Sequence, residues 1–370
     1  MVRTQKVFGK KIINKNDRPV LVAVGGGKGG VGKTIISSSL SVGLAMLGKR
    51  VVVIDADFGC ANLHKALGIE RAEKNTYQFF KREVQTLDEI LIDHPQFEHL
   101  KIICGATGTL GSANLHHQQS VKFIRHIQKL DADYVIIDLG TGSHFVTLDL
   151  FLASDMGLVV VNPVNLSILD SYNFLKQAFF RKLSNVYKKN DVMYSAINKA
   201  VRNIAHQKSP TIEDLHKQIV KLDEDAGKYM RVIIESFHSK LLINRLVSSK
   251  NIANCLAVQM AAKELLSIDV EYIGAIREDV TVSESLNEMN PFISYDPKCN
   301  ASVDLTNLIN KKILHASILK SMKTKKIIKN KKMLSWKDEE ALTYCSIKCM
   351  YWEECDFKNP GYPCELKELL

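Results

Sequence analysis

Short apolar runs alternate with longer, helix-like stretches along most of the chain. Runs rich in valine, isoleucine and leucine occur at 21–24, 51–54, 134–137, 158–161, 241–243 and 270–275. The first stretch between them, 35–47, is rich in serine, leucine and alanine and is typical of a helix. Strands that are apolar throughout are typical of parallel sheets covered by helices on both faces. The pattern predicts an α/β fold with a doubly wound, mostly parallel sheet.

This pattern is interrupted once and then ends. The stretch 183–238 is polar and mostly helical, and we interpret it as a helical insertion. The sheet pattern then resumes, so we expect the main domain to span 20–319, after a basic N-terminal extension at 1–19. A lysine-rich linker at 320–337 and a small cysteine-rich C-terminal module at 338–370 complete the predicted organisation.

Composition is that of an ordinary globular protein. With 370 residues and 46% hydrophobic content, the chain can bury a full α/β core and carry an added module. There is no run of 18 uncharged apolar residues, and the first 18 residues are basic and polar without an apolar signal core. We therefore expect a cytoplasmic location.

The net charge of +10 belongs to one segment. Residues 305–337 contain ten lysines and no acidic residue, so the rest of the chain is close to neutral. A tract of this kind is either a solvated tether or a segment attracted to phosphate backbones or anionic lipid.

Residues 25–34 read Gly-Gly-Gly-Lys-Gly-Gly-Val-Gly-Lys-Thr, between an apolar run and a helix-like segment. In this context, glycines let successive backbone N–H groups converge on phosphate oxygens at a helix N-terminus. Lys33 would reach the β- and γ-phosphates, and the Thr34 hydroxyl would hold Mg²⁺. The predicted nucleotide-binding residues of the loop are Gly27, Lys28, Gly29, Gly30, Val31, Gly32, Lys33 and Thr34.

The loop, with Lys28 ahead of Lys33, resembles the deviant phosphate loop of the MinD/ParA family of dimeric ATPases. The resemblance implies a P-loop NTPase fold of the SIMIBI type that uses ATP and Mg²⁺. It also implies a homodimer on ATP, in which Lys28 crosses the interface to the partner's nucleotide and acts in catalysis together with Lys33. A second cation at the γ-phosphate would complete charge compensation only when two subunits meet.

The stretch 55–63, Asp-Ala-Asp-Phe-Gly-Cys-Ala-Asn-Leu, resembles the first switch of that family. The match implies that Asp57 positions the attacking water and that Asp55 supports the Mg²⁺ shell. Asp138 ends an apolar run as a Walker B acid does, and the Leu-Gly-Thr-Gly that follows is similar to the second switch. The predicted magnesium residues are therefore Thr34, Asp55 and Asp138.

Two later segments match the family where it contacts the base or ribose. Asn244 follows a β-rich run, and asparagine can pair with a donor and an acceptor of adenine. Arg277 and Asp279 follow the last apolar run. The alternative is that these are ordinary polar loop residues.

Within the family, the chain resembles the FlhG (FleN) branch of MinD-like proteins most, through residues 55–63, 104–108 and 138–142. The resemblance implies a slow ATPase that regulates the position or number of flagella, division sites or another polar structure, with an unknown activating protein partner. Asn-Pro-Val-Asn at 162–165 departs from the branch's Pro-Glu-Pro-Thr, and its N-terminal glutamine-containing activator motif is absent from 1–19.

The cysteines fall into two groups. Isolated cysteines are expected to be small buried hydrophobes, and these are Cys60, Cys104, Cys255 and Cys299. The others cluster near the C-terminus and supply four thiolates for Zn²⁺ or an iron–sulfur cluster, or form a redox group: Cys345, Cys349, Cys355 and Cys364.

An apolar stripe at near-helical spacing accompanies the first lysines and consists of Leu305, Leu308, Ile309, Ile313, Ile318, Leu319 and Met322. The family resemblance implies a basic amphipathic helix that associates reversibly with the inner face of the cell membrane. The same stripe fits a final helix packed on the sheet.

Two rival functions share the predicted loop. An iron–sulfur scaffold or carrier similar to the Mrp ATPases is supported by the clustered cysteines but opposed by the Asn62-Leu63 form of the first switch. DNA segregation of the ParA type is suggested by the lysines, but their confinement to one tether makes nucleic acid the less favoured partner.

Overall fold

A computed structural model describes residues 18–106, 117–188, 190–205 and 211–314. Within these ranges no helix is both long and apolar enough to cross a membrane. Most of the basic N-terminal extension, the lysine-rich linker and the cysteine-rich module lie outside them.

The described residues form one eight-stranded sheet. Its strands are β1 (Val20–Gly25), β2 (Val51–Ala56), β3 (Ile92–Asp93), β4 (Leu100–Ile103), β5 (Tyr134–Leu139), β6 (Met156–Val161), β7 (His238–Leu246) and β8 (Asp269–Arg277). Their order is β3-β4-β2-β5-β1-β6-β7-β8, and all neighbours are parallel except β3 and β4. The predicted doubly wound, mostly parallel sheet is confirmed.

All six apolar runs of the sequence lie in strands, whereas β3 and β4 were not predicted. The strand β3 has two residues and β4 has four. Runs of this length carry too few residues for a periodic signal. Pairing at the edge of the sheet, rather than local sequence, defines them.

Alternate residues of each central strand enter different cores. In β1, Leu21 and Ala23 face one hydrophobic core, whereas Val22 and Val24 face the other. This two-sided burial explains why the strands are apolar at successive positions.

Thirteen helices of the described chain cover the sheet: α1 (Lys33–Met46), α2 (Leu63–Ala66), α3 (Thr76–Phe80), α4 (His117–Ile127), α5 (Phe145–Leu152), α6 (Asn165–Tyr187), α7 (Asp191–Ala205), α8 (Ile212–Leu222), α9 (Glu224–Glu235), α10 (Lys250–Leu266), α11 (Val280–Asn287), α12 (Phe292–Tyr295) and α13 (Asn300–Leu308). A 3₁₀ turn at Asp88–Ile90 and a π-helical turn at Ile309–Ile313 add to them. The core containing Val22 lies against α1, α12 and α13, and the core containing Leu21 lies against α4, α5, α6 and α10.

The polar stretch between β6 and β7 is helical, in agreement with its sequence pattern. Helices α7, α8 and α9 follow the long α6, and their apolar faces extend the core that contains Leu21, through Ile197, Leu215 and Ile233 for example. The division of the chain into domains, including the insertion at 183–238, stays a prediction.

The C-terminal apolar stripe is part of the core as far as the described residues extend. Leu305, Leu308, Ile309 and Ile313 are all at most 5% exposed. A Cβ on Gly43 of α1 would lie 2.6 Å from Cδ1 of Ile309, so the two helices are in close contact. For these four residues the core interpretation is correct and the membrane-facing one is wrong; Ile318, Leu319 and Met322 lie outside the described residues.

Candidate functional site

The glycine-rich loop joins the carboxyl end of β1 to α1. Gly30 and Gly32 have φ angles of 77° and 96°, which residues with a side chain rarely adopt. A Cβ on Gly27 would lie 1.9 Å from the carbonyl oxygen of Asp170 in α6. The loop therefore needs glycine at 27 for a close approach and at 30 and 32 for its turns.

The N-terminus of α1 is open toward this loop. The N-cap residue, Gly32, makes no side-chain cap, and the first turn carries no acidic residue. The unpaired N–H groups and the positive end of the helix dipole thus face the loop, an arrangement that favours a bound anion.

Lys33 is a buried cation, with only 6% of its surface exposed. Its Nζ donates to the carbonyl oxygen of Lys28 at 3.2 Å. Burial lowers the pKa of Lys33, and the charges of Asp138 and Asp57 partly oppose that shift. Because burial disfavours the charged form of Lys33, an anion bound beside its ammonium would stabilise that form.

The side chain of Lys28 is half-buried at the loop tip. Among the described residues it forms no ion pair, although its carbonyl receives the ammonium of Lys33. Its charge is therefore available to a group from outside the described chain.

Asp138, at the end of β5, lies directly beside α1. Thr34 Oγ1 donates to its Oδ2 at 2.7 Å, and Ser37 Oγ donates to its Oδ1 at 2.9 Å. Burial raises the pKa of Asp138 to about 6, and the two hydroxyl donors oppose this. Ser37 was not predicted, although it lies one helical turn after Thr34, a spacing that signals a shared face.

Asp55 is the register partner of Asp138 on β2. It is fully buried, and its two oxygens accept backbone N–H groups from Asp57 at 3.1 Å and Leu63 at 3.0 Å. Burial, followed by the charge of Asp138, raises the pKa of Asp55 to about 7. Two neighbouring carboxylates thus share a buried site, in which the charge of Lys33 offsets only part of the effect of burial on the pKa of Asp138.

Asp57 follows β2 and lies against the second predicted switch. Its Oδ1 accepts the N–H groups of Gly59 at 3.3 Å and Cys60 at 3.0 Å. A Cβ on Gly140 would lie 3.1 Å from Cγ of Asp57, so the glycine permits this contact. The structure thus brings the loop of Asp57 together with the turn that follows Asp138.

Asn244, at the end of β7, is tied to the phosphate loop. Its Nδ2 donates to the carbonyl oxygen of Val31 at 2.8 Å, and only 7% of the residue is exposed. A Cβ on Gly32 would lie 2.2 Å from this nitrogen. One amide hydrogen of Asn244 is therefore used by the loop itself, a contact that its sequence position did not indicate.

Arg277 and Asp279 both have partners within the fold. Arg277 forms a two-point ion pair with Asp304 of α13, with both nitrogen–oxygen distances at 2.8 Å. Asp279 caps α11 by accepting the N–H of Thr281 at 3.1 Å, and its other oxygen accepts the N–H of Asn300 at 2.9 Å. A structural role accounts for each side chain.

Exposed apolar side chains follow several of the strands whose carboxyl ends lie at the same edge of the sheet as the loop. Those that follow β5, β6, β7 and β8 are Phe145, Val164, Leu166, Leu169, Val247 and Val280, which are 53–73% exposed. We call this set the apolar rim.

The cysteine predictions have mixed outcomes. Cys104, Cys255 and Cys299 are buried as predicted, but Cys60 is exposed, so its prediction was wrong. The turn formed with Asp57 orients the backbone of Cys60 and leaves its thiol outside the core. Cys345, Cys349, Cys355 and Cys364 lie outside the described residues.

Together, the loop, the open helix end, the buried lysine and the strand-end carboxylates have the arrangement of a P-loop. Residues 20–191 match the family model described as an AAA domain. Helicobacter pylori MinD is 31% identical over 152 residues, which are 41% of this chain and 56% of MinD. The antiactivator FleN of Pseudomonas aeruginosa is 32% identical over 158 residues, covering 42% and 55%. The chain thus spans about half the length of the curated relatives it matches.

Solved structures share the fold. MinD of Pyrococcus horikoshii, complexed with Mg-ADP, has a TM-score of 0.55 at 18% identity, covering 81% of this chain and 98% of that one. A MinC:MinD complex from Aquifex aeolicus gives 0.52 at 20% identity, covering 80% and 95%. Residues 20–191 are thus similar in sequence to an AAA domain, about half the length of MinD and FleN aligns with this chain, and the fold is that of the MinD structures.

Proposed function

We propose that this protein binds ATP with Mg²⁺, dimerises on ATP, hydrolyses it slowly and acts as a spatial or numerical regulator. The observation that supports this most directly is the convergence of Lys33, Thr34, Asp57 and Asp138 around one phosphate loop.

Lys33 is the proposed phosphate ligand. Its ammonium rests on a neutral carbonyl in a buried setting. Charge-assisted hydrogen bonds to phosphate are stronger than a bond to a carbonyl. We propose that Lys33 leaves the Lys28 carbonyl for the β- and γ-phosphates when ATP binds, while the N–H groups of the loop and of α1 hold the phosphates in place.

The donor set fits Mg²⁺, which prefers oxygen ligands and is held through few protein groups together with phosphates. Thr34 and Asp138 would hold it, with Asp55 supporting from the next strand. The raised pKa values of both carboxylates indicate a site that gains from an added positive charge. Bound Mg²⁺ would neutralise charge on the phosphates during transfer.

Asp57 is the proposed water-positioning residue. Two backbone N–H groups occupy its Oδ1, whereas no described residue donates to its Oδ2. The occupied oxygen fixes the orientation of the carboxylate. The other oxygen can then accept a hydrogen bond from water and direct it toward the terminal phosphate.

A second copy of the chain is the proposed partner at the apolar rim. Lys28 lies at the same edge as this rim and has no ion-pair partner in the described chain. Association there would bury apolar surface and bring Lys28 toward the nucleotide of the other subunit. Dimerisation would then depend on the triphosphate that the two copies share.

The regulatory role is proposed from the relatives. MinD is named as a septum site-determining protein and FleN as an antiactivator, and a MinD structure contains MinC. We propose that a protein partner recognises the ATP dimer of this chain and that another activates hydrolysis.

The test compares wild type, Asp57→Ala and Asp93→Ala, the last an exposed aspartate on β3. Sedimentation with ATP or ADP and the rate of phosphate release are measured. We expect wild type and Asp93→Ala to dimerise only with ATP and to return to monomers as they hydrolyse it. Asp57→Ala should bind ATP and remain dimeric. A monomeric Asp57→Ala with ATP would contradict the dimer mechanism, and a wild type that releases no phosphate would contradict the ATPase assignment.

A further inference from the structure

The loop that carries Asp57 has one large buried side chain, that of Phe58. Phe58 is 7% exposed, whereas Gly59 and Cys60, which follow it, are exposed. The other buried residue of the loop, Ala61, contributes only a methyl group. Phe58 is therefore the main apolar anchor of the segment between β2 and α2.

Phe58 packs into an aromatic cluster, which we define as Phe58, Phe79, Phe80 and Phe123. Its ring lies edge-on to Phe80 at 5.4 Å and to Phe123 at 6.0 Å between centroids. Phe80 and Phe123 are 5.1 Å apart, and Phe79 contacts both. Because Phe79 and Phe80 belong to α3 and Phe123 to α4, the cluster connects the loop to both helices.

The polar contacts of Asp57 are local and lie within or beside its own loop. Its N–H donates to Asp55, and its Oδ1 accepts from Gly59 and Cys60. The last two contacts define the shape of the turn but move with it. The position of the turn relative to α3 and α4 depends instead on the ring of Phe58.

We propose that Phe58 is a positioning residue, through which the placement of α3 and α4 sets the position of the Asp57 carboxylate. The inference rests on the proposed ATPase function. Edge-to-face contacts are directional, so an aliphatic side chain can fill the volume without fixing the turn to the same degree. Small displacements of a reacting group, near 1 Å, can reduce a rate by about 100-fold.

The test uses Phe58→Leu, Phe123→Leu and a matched control, Phe237→Leu. Phe237 is 3% exposed and lies edge-on to Phe179 at 5.5 Å, in a different part of the same core. Four quantities are measured on the full chain: the thermal midpoint, the affinity for a non-hydrolysable ATP analogue, the single-turnover rate of hydrolysis, and hydrogen exchange of the peptide at 57–62.

We expect all three variants to lose some thermal stability and to keep analogue affinity within about twofold, because the phosphate loop is unchanged. Only Phe58→Leu and Phe123→Leu should lower the hydrolysis rate, by about tenfold or more, and accelerate exchange at 57–62.

Two results overturn the inference. If Phe58→Leu slows hydrolysis no more than Phe237→Leu, with unchanged exchange at 57–62, Phe58 is a packing residue only, and the proposed ATPase function stands. If wild type itself does not hydrolyse ATP, the ATPase function and this inference both fail.

Discussion

The two sides of the candidate site differ in how far their polar groups are satisfied within the fold. The phosphate side consists of Lys33, Asp55 and Asp138, which are buried. Burial lowers the pKa of Lys33 and raises the pKa values of the two aspartates, so it favours the neutral form of each side chain. The base side consists of Asn244 and Arg277, the residues predicted to contact the base or ribose. Asn244 donates to the phosphate loop, and Arg277 is paired with Asp304. The fold leaves the charges of the phosphate side incompletely compensated, whereas Asn244 and Arg277 on the base side have hydrogen-bond partners within the fold.

This difference separates ligand-binding groups from structural ones. A buried charge without a full partner costs stability, so its retention points to a ligand that supplies the missing charge. A hydrogen-bonded amide or an ion pair needs no such explanation. The comparison predicts that substitutions on the phosphate side affect ligand binding more than stability, and that those on the base side show the reverse balance.

The largest effect is expected for Lys33→Met. Losing two charge-assisted hydrogen bonds should weaken ATP binding by about 100-fold or more, as measured by calorimetry. The ligand-free variant should be no less stable than wild type, because a desolvated cation is removed.

Lys182→Met is the matched control for that variant. Lys182 is also buried, at 3% exposure, and its Nζ donates to the carbonyl and hydroxyl oxygens of Ser236. This control should lose about 1–3 kcal/mol of stability and keep ATP affinity. If Lys33→Met is instead destabilised as strongly as Lys182→Met, Lys33 is a structural lysine.

The second prediction concerns pH. The folded-state pKa values of about 7 for Asp55 and about 6 for Asp138 exceed the ordinary aspartate value of 3.8, so folding favours their protonated forms. The contribution of the two protonated carboxyl groups to the free energy of unfolding is fully present below pH 4 and is lost as pH rises through 6 and 7. The ligand-free protein should therefore lose on the order of a few kcal/mol of unfolding free energy across that range. Denaturant unfolding at several pH values, with and without Mg·ADP, measures the loss.

Asp138→Asn tests that assignment, because the hydroxyls of Thr34 and Ser37 can rotate to accept from an amide. This variant should flatten the pH dependence. Glu271→Gln is a control with the opposite sign of pH dependence, because hydrogen bonds from Lys240 and Lys312 lower the pKa of Glu271. Its stabilising contribution is present above the unfolded pKa and is lost on acidification. Equal pH profiles for wild type and Asp138→Asn would contradict the assignment.

A smaller effect is expected for Asn244. Asn244→Ala leaves the Val31 carbonyl without its donor and should cost about 1–3 kcal/mol of stability. It should also weaken ATP binding by about tenfold, because the phosphate loop loses the hydrogen bond that holds it to β7. Asn244→Asp, which opposes two oxygens, should be worse than alanine in both measurements. If alanine weakens ATP and inorganic triphosphate unequally, Asn244 contacts the base as well.

The smallest effect is expected for Arg277→Ala. Exposed ion pairs contribute little, so affinity for ATP should remain within about twofold of wild type. Asp304→Ala removes the same pair from the other side and serves as the control. A tenfold loss of affinity in Arg277→Ala alone would assign Arg277 to the nucleotide after all.

Local sequence describes the contacts of the phosphate side more directly than those of the base side, for a physical reason. The spacing of Gly27, Gly32 and Lys33 describes a loop whose shape is set by neighbouring residues. Asp55 and Asp138 end apolar runs, and parallel strands place such ends at one edge. By contrast, the partner of Asn244 lies 213 residues away in sequence, at Val31. No local pattern encodes that contact.

The same reason accounts for the other differences. Ser37 becomes part of the site only because α1 packs beside β5. Cys60 is exposed because the turn with Asp57 directs it outward, which apolar character alone does not indicate. The stripe at Leu305 and Ile309 suits either a membrane or a core, and contact with α1 selects the core.

The sequence by itself determined the sheet class, the loop and the positions of the charged groups, because these follow from hydrophobic period and short-range spacing. Only the tertiary structure decided which of those groups are already paired, which surface is left apolar, and that Phe58 ties the loop of Asp57 to two helices. Those properties arise from contacts between segments far apart in the chain, where burial, and not residue type, determines whether a polar or aromatic side chain is free to act.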